Sequence, residues 1–420
     1  MVFLSLSSSP KSGSATSARI LSQIISRLSS IPNVIPPERL KTADFPGFYE
    51  AVMTKMEDPF EQLLDGLNPP VNAIIGDVEL RWPIGVGNRR NIPVAASWTM
   101  SASFFLMLHH LNLLVQNRHL SVDFSDVGDG HIGQIPGISS SQLIVLQTVI
   151  HVNDRRVLQL ALQCISKVPK AQYLLLPTVQ EVEVEAIKSL EAIFSFPIFT
   201  IGPAIAYLEL EQSYSTTANS SLDYLNWLDS QPAKSVLYIS FGGFVSVSGA
   251  QMDEIAAALK ITGICFIWVA RGEASRLKEK CSDGGLVVPW CDQLKVLSHS
   301  SIGGFWSHCG WNSTQEAVFA GVPMLTFPLF LDQVPNSRQI VEEWKNGWEL
   351  KRSEVGSEVF LAKEEIAEVL KGFMDLESRK EVRERAEELK DICHLAIAKG
   401  GSSDLNLEAF IRSISSVGQE

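Results

Sequence analysis

The sequence predicts an α/β chain built from two doubly wound domains, and three observations carry that expectation. From Val71 onward, short apolar runs alternate with longer helical patterns, as parallel strands alternate with crossover helices. The alternation stops at a polar stretch, residues 211–221, and then restarts. A length of 420 residues with 45% hydrophobic content exceeds what one core serves.

In the first half, strands are expected at residues 2–6, 72–76, 93–97, 172–176 and 198–201, with a helix at 18–28. In the second half they are expected at 235–241, 265–270, 286–288, 303–307 and 324–327. Amphipathic segments at 251–260 and 340–344 separate some of these, and a charged helical stretch follows at 362–390. Pro83 falls inside the helix expected after the 72–76 strand, where it should kink the chain. Such sheets bind ligands at the carboxyl ends of their strands, so two of them facing a central cleft would meet their substrates there.

Bulk properties exclude several function classes. A net charge of -12 argues against nucleic acid, whose backbone requires clustered Lys and Arg. The six cysteines (Cys164, Cys265, Cys281, Cys291, Cys309 and Cys393) form no C-x-x-C pair, which fits a reducing cytoplasmic location. No apolar run approaches the length of a membrane span, and no coiled-coil heptad is present, so a soluble monomer is expected. The first 37 residues are Ser-rich, carry Lys11, Arg19 and Arg27, and have no acid before Glu38; a transit peptide is the alternative to a plain N-terminal segment.

Chemistry concentrates in the 44 residues from Trp290 to Gln333, WCDQLKVLSHSSIGGFWSHCGWNSTQEAVFAGVPMLTFPLFLDQ. An apolar strand delivers His308, Cys309 and Gly310 to a turn, and Asn312 and Ser313 open a helix. Free backbone N–H groups and the positive end of the helix dipole suit a diphosphate there, without a metal. No D-x-D pair and no His/Cys cluster has metal-ligand spacing. Taken singly, these residues have structural readings. Ser313 and Glu316 make an S-x-x-E capping box, His308 suits a core histidine, Trp290 and Trp311 suit packing, and Asp332 complements the helix from Pro335. Their joint occurrence at fixed spacing favours a ligand site. A rival dinucleotide motif at Gly85 and Gly87 lacks its third glycine, whose place Arg90 takes.

This stretch resembles the signature box of the plant UDP-glycosyltransferases, glycosyltransferase family 1, in length and at nearly every diagnostic position. Flanking stretches extend the resemblance: IPNVIPPER at 31–39, IPGIS at 135–139, SVLYISF at 235–241 and GGSSDLN at 400–406. It implies a GT-B fold with a Rossmann-like acceptor domain over 1–205, a linker over 206–222, a Rossmann-like UDP-sugar domain over 223–400, and a C-terminal helix over 401–420 packing back on the first domain. By resemblance, Trp290 stacks on uracil and Gln293 lies near the uridine. His308, Asn312 and Ser313 hold the diphosphate, Glu316 takes the ribose hydroxyls, and Trp311, Asp332 and Gln333 contact the sugar. Gln333 further implies UDP-glucose, a donor substrate rather than a cofactor. Gly243 replaces the family's usual hydroxyl residue after Ser-Phe-Gly, which should weaken donor affinity slightly.

The implied reaction is an inverting, metal-independent transfer of glucose to a hydroxyl or carboxyl of a small plant metabolite. Its base in the family is a histidine in the first strand-to-helix loop, supported by an aspartate that Asp77 matches; the structural alternative for Asp77 is a helix N-cap. The first histidine here is His109, so the first strand, histidine loop and first helix are expected to be missing, opening a gap in the sheet. A UDP-sugar-binding protein without turnover, or a truncated inactive paralogue, is therefore the alternative function. Trp98, Phe104, Phe105 and Met107 suit either an acceptor pocket or, more simply, the core.

Overall fold

The computed structural model describes residues 2–4, 45–68, 70–117, 155–205, 223–242, 247–281, 284–350, 360–375 and 377–416. The expected helix at 18–28, the stretches at 31–39 and 135–139, the linker at 206–222 and Gly243 lie outside them. The chain divides into two compact units, Met1–Gly202 with Leu395–Glu420, and Pro203–His394. Each is a Rossmann-like α/β unit, and two of these in one chain make the GT-B class.

Among the described residues the first unit holds five strands, β1 (Val2–Leu4), β2 (Ala73–Asp77), β3 (Val94–Ser97), β4 (Tyr173–Leu176) and β5 (Ile198–Thr200), arranged in sequence order. β2 to β5 are parallel, but β1 runs antiparallel to β2, with Val2 opposite Ile75 and Leu4 opposite Ala73. The β1 strand thus differs from the parallel crossover strand expected there. Direction is free for an edge strand because either pairing supplies acceptors and donors to the backbone of β2.

Strand alternation gives the sheet two apolar faces. Ala73, Ala95, Leu175 and Phe199 lie on one, covered by Phe410, Ile411 and Ile414 of the helix Ser402–Ser416. Asn406 of that helix donates to Thr200 Oγ1 at 2.8 Å, and Tyr173 Oη donates to the Ser413 carbonyl at 3.4 Å.

The helix Pro83–Arg90 packs against β2 and β3, and Gly76 permits its approach: a Cβ there would lie 2.5 Å from Pro83 Cβ. Pro83 does not kink this helix. A five-residue loop follows Asp77, so the helix begins at Pro83, where the missing N–H has no intrahelical role. Asp77 keeps its place at the end of β2, in register with Ser97. Trp98, Phe104, Phe105 and Met107 are fully buried in this unit's core. The apolar helix Ala102–Gln116 that carries three of them is capped by Ser101 Oγ, which accepts from Phe104 N at 3.3 Å. The buried Glu183 carboxylate accepts from Ala102 N and Ser103 N, each at 3.0 Å.

Among the described residues the second unit holds six parallel strands, β6 (Val236–Ser240), β7 (Cys265–Val269), β8 (Gly285–Val288), β9 (Ile302–Ser307), β10 (Met324–Thr326) and β11 (Gly347–Glu349), in the order β11-β10-β9-β6-β7-β8. The order reverses between β6 and β9, which makes their carboxyl ends a topological switch point. The charged stretch expected as one helix over 362–390 is two, Lys363–Met374 and Lys380–Ile397. At the break, the Asp375 carboxylate accepts from Ser378 N at 2.8 Å, and fully buried Arg379 donates to the carbonyls of Gly303 and Lys234. The segment expected as a helix over 340–344 is a π-helical turn, Gln339–Glu343, continuing the helix Gln333–Arg338.

Candidate functional site

The switch point places Ser240 of β6 beside Ser307 of β9. After Ser307 the chain turns sharply. Cys309 takes the left-handed conformation, φ 65°, held by its N–H donating to Ser307 Oγ at 3.0 Å and its carbonyl accepting from Asn336 Nδ2 at 3.0 Å. Gly310 then caps the helix Trp311–Ala320. The helix therefore starts two residues before Ser313, with Gly310 as its N-cap, and the capping-box reading of Ser313 and Glu316 does not hold. A short apolar strand run straight into a helix needs a tight turn, and this turn leaves the first-turn N–H groups of Asn312 and Ser313 without intrahelical acceptors. Asn312 is exposed and Ser313 half-buried.

Glycines shape the space for His308. A Cβ on Gly242, itself at φ 76°, would lie 2.7 Å from His308 Nε2, and one on Gly310 would lie 2.6 Å from it. The imidazole thus lies against two bare backbones. Its Nδ1 is buried without a hydrogen-bond partner, and burial pushes its pKa down to about 4. It is a neutral ring near pH 7, able to donate one N–H.

A second cluster stands on the same helix. Gln293 opens the helix Gln293–Leu297, whose N-cap Asp292 accepts from Lys295 N at 3.2 Å. Gln293 Nε2 donates to Glu316 Oε2 at 2.5 Å and to Ser313 Oγ at 2.9 Å. Burial raises the Glu316 pKa, while the hydrogen bond from Gln293 opposes that shift. Trp290, three residues earlier, exposes 59% of its surface, an apolar face open to a planar ring.

The remaining box residues are buried. Trp311 is 3% exposed, packs against Trp344 at 5.9 Å, and leaves its Nε1 without a partner. Its ring is thus a core element, although its indole N–H remains unused. Asp332 accepts from Asn336 Nδ2 at 2.8 Å and from the Trp311 backbone N–H; burial outweighs both and pushes its pKa up to about 7. Gln333 Oε1 accepts from Leu329 N at 2.8 Å and Phe330 N at 3.0 Å, which ties the loop before it. Asn336 and Tyr238 join this site and were not singled out from the sequence. Asn336 has a local signal, standing one helical turn after Asp332; Tyr238, inside an apolar strand, has none.

Asp77 belongs to the first unit. Its Oδ1 accepts from Glu79 N at 2.9 Å, and burial raises its pKa against that hydrogen bond. It caps no helix, since the N-cap of Pro83–Arg90 is Trp82. Nearby, Tyr49 Oη donates to Glu79 Oε1 at 3.3 Å and Cys164 Sγ to the Glu79 carbonyl at 3.3 Å. Among the described residues, no group of three or more His, Cys, Asp or Glu side chains is placed to hold a metal, and no helix is long and apolar enough to cross a membrane.

The family model described as UDP-glucoronosyl and UDP-glucosyl transferase matches residues 142–382. UDP-glycosyltransferase 87A1 of Arabidopsis thaliana is 45% identical over 393 residues, which covers 93% of this chain and 88% of that one. Among solved structures, a UDP-glucosyltransferase from Polygonum tinctorium capable of glucosylating indoxyl superposes with a TM-score of 0.79 at 27% identity, covering 97% of this chain and 91% of the other. The Medicago truncatula enzyme UGT71G1, complexed with UDP-glucose, gives 0.72 at 30% identity over 91% and 84%. A chain with a switch-point helix, an open indole and a tethered carboxylate at the family's spacing, and with these relatives along nearly its whole length, belongs to the UDP-glycosyltransferase family and is a hexosyltransferase.

Proposed function

We propose that this enzyme transfers glucose from UDP-glucose to a hydroxyl or carboxyl group of a small plant metabolite, with inversion and without a metal ion. The observation that carries the reading is that Gln293, from the neighbouring helix, ties together Ser313 and Glu316 on the first two turns of the switch-point helix. Exposed Trp290 takes the uracil face, and the Glu316 carboxylate accepts from the ribose hydroxyls. The N–H groups of Asn312 and Ser313, the Ser313 hydroxyl and the His308 ring hold the diphosphate, with the helix dipole offsetting its charge. Asp332 and Gln333 stand at the start of the next helix to bond the sugar hydroxyls, and the Gln333 amide supports glucose as the sugar. The Trp311 indole N–H, buried and unused, is the contact that residue offers.

In the reaction, the bond from the anomeric carbon to the UDP oxygen breaks with its electron pair leaving on UDP. The acceptor oxygen forms its bond from the opposite face, which inverts the configuration, and its proton passes to a base. Asp77, a partly desolvated carboxylate at the end of β2, is the residue we assign to orient that base. Six free cysteines support a reducing cytosolic setting, and we propose a monomer.

The test is an assay with UDP-glucose in EDTA against phenols, terpenoid alcohols and aromatic acids, with product stereochemistry read by NMR. A β-glucoside is expected. An α-glucoside overturns inversion, a requirement for divalent cation overturns metal independence, and preference for UDP-galactose overturns the reading of Gln333. A single species near 46 kDa by light scattering checks the monomer.

A further inference from the structure

Tyr238 lies on the central strand β6, 1% exposed, with its ring stacked on Phe305 at 4.9 Å and 19°. A tyrosine so placed reads as core packing, but its hydroxyl has a specific neighbour. It reaches Gln293 Oε1 at 3.0 Å and Cys291 Sγ at 3.5 Å. Gln293 turns its other end to Glu316 and Ser313. A primary amide has two unlike ends, and each end here meets a partner of one kind. The Glu316 carboxylate, when ionised, only accepts and so requires the NH2 end. The phenol donates to the carbonyl end, and burial raises its pKa well above the usual value, so it keeps its proton.

We propose that Tyr238 is a positioning residue for nucleotide binding: its hydroxyl fixes the Gln293 amide so that the NH2 end holds the Glu316 carboxylate in place for the ribose. The chain of contacts runs from a rigid strand through a helix N-terminus to the carboxylate, so the group that meets the ribose is set before the nucleotide arrives. The inference rests on the assignment of Glu316 to the ribose hydroxyls.

Tyr238→Phe keeps the ring and its stacking and removes only the donor. Affinities for UDP and for 2′-deoxy-UDP are measured by calorimetry for the wild type, Tyr238→Phe, Gln293→Leu and the double variant, with melting temperatures alongside. The wild type is expected to prefer UDP over 2′-deoxy-UDP. Tyr238→Phe is expected to weaken UDP by about 10-fold, the order lost when a buried acceptor is left unmatched, and to bring the ratio of the two affinities towards one. On the Gln293→Leu background, Tyr238→Phe should then have no further effect on that ratio. A purely structural tyrosine would lower the melting temperature and leave the ratio unchanged, which overturns the proposal. So does additivity of the two substitutions, and a Tyr238→Phe chain that fails to fold leaves Gln293→Leu to decide: full discrimination in that variant also overturns it. A wild type that binds no UDP refutes the nucleotide site itself, whereas one that binds UDP without preferring the 2′-hydroxyl refutes the ribose assignment alone.

Discussion

The carboxyl edges of the two sheets are built on different plans. In the second unit the strand order reverses between β6 and β9, and nearly every residue of the proposed nucleotide site comes from Trp290 to Asn336. In the first unit the described strands run in sequence order, and the surroundings of Asp77 come from far apart in the chain, Tyr49 and Cys164 among them. A switch point lets one short stretch supply a whole site, because two crossovers diverge there and leave a helix N-terminus open. Without a reversal, an edge must gather its residues through tertiary packing.

The sharpest contrast inside the second unit is between two tryptophans of the same box. Trp311→Ala should lower the unfolding free energy by about 3–5 kcal/mol, the cost of emptying a packed aromatic site, as read by denaturant titration. Trp290→Ala should leave stability unchanged and weaken UDP by about 1–3 kcal/mol of base stacking. Equal effects on stability would remove the distinction between core and site.

Two glycines extend the comparison across the units. Gly242→Ala, at positive φ and against the His308 ring, should cost about 1–3 kcal/mol of stability and also weaken UDP by displacing the imidazole. Gly76→Ala, against Pro83, should cost a similar amount and leave UDP affinity unchanged. Calorimetry and thermal melting on both variants separate the two outcomes.

The smallest expected effect in the wild type is its net pH dependence, in which two groups act with opposed signs. Asp332, raised to about 7, binds a proton in the folded chain that the unfolded chain releases near pH 4, so its contribution to stability falls as pH rises from about 4 to 7. His308, lowered to about 4, does the reverse: the unfolded chain binds the proton, and stability rises between about pH 4 and 6.5. The two offset each other in the wild type. Relative to it, Asp332→Asn should gain stability with rising pH and His308→Ala should lose it, each by at most about 1.4 kcal/mol per pH unit. Parallel curves for the three proteins would show that neither group titrates as described.

Most of the second unit was legible because its strands are continuous apolar runs and its site is contiguous. The parts that escaped have physical reasons. Ser313 and Glu316 fit a capping box by spacing alone, but Gly310 supplies the turn, so the helix starts earlier. By sequence pattern Pro83 falls inside a helix, because the length of the loop after Asp77 is set by packing, which no local pattern records. The break at Asp375 interrupts an unbroken charged pattern through a side-chain cap and the buried Arg379. The direction of β1 is carried by its partner's edge rather than by its own three residues. Tyr238 sits in an apolar strand like any core tyrosine, and only the position of Gln293 gives its hydroxyl a role.

The helix opening after Gly310 is proposed to receive a uridine diphosphate. Calorimetric titration of UDP in EDTA into the wild type, His308→Ala and Glu316→Ala tests it most directly. Binding to the wild type is expected, with each substitution weakening it by about 1.5–3 kcal/mol, the value of hydrogen bonds to charged groups. No binding by the wild type, or unchanged affinity in both variants with their folds intact, would contradict it.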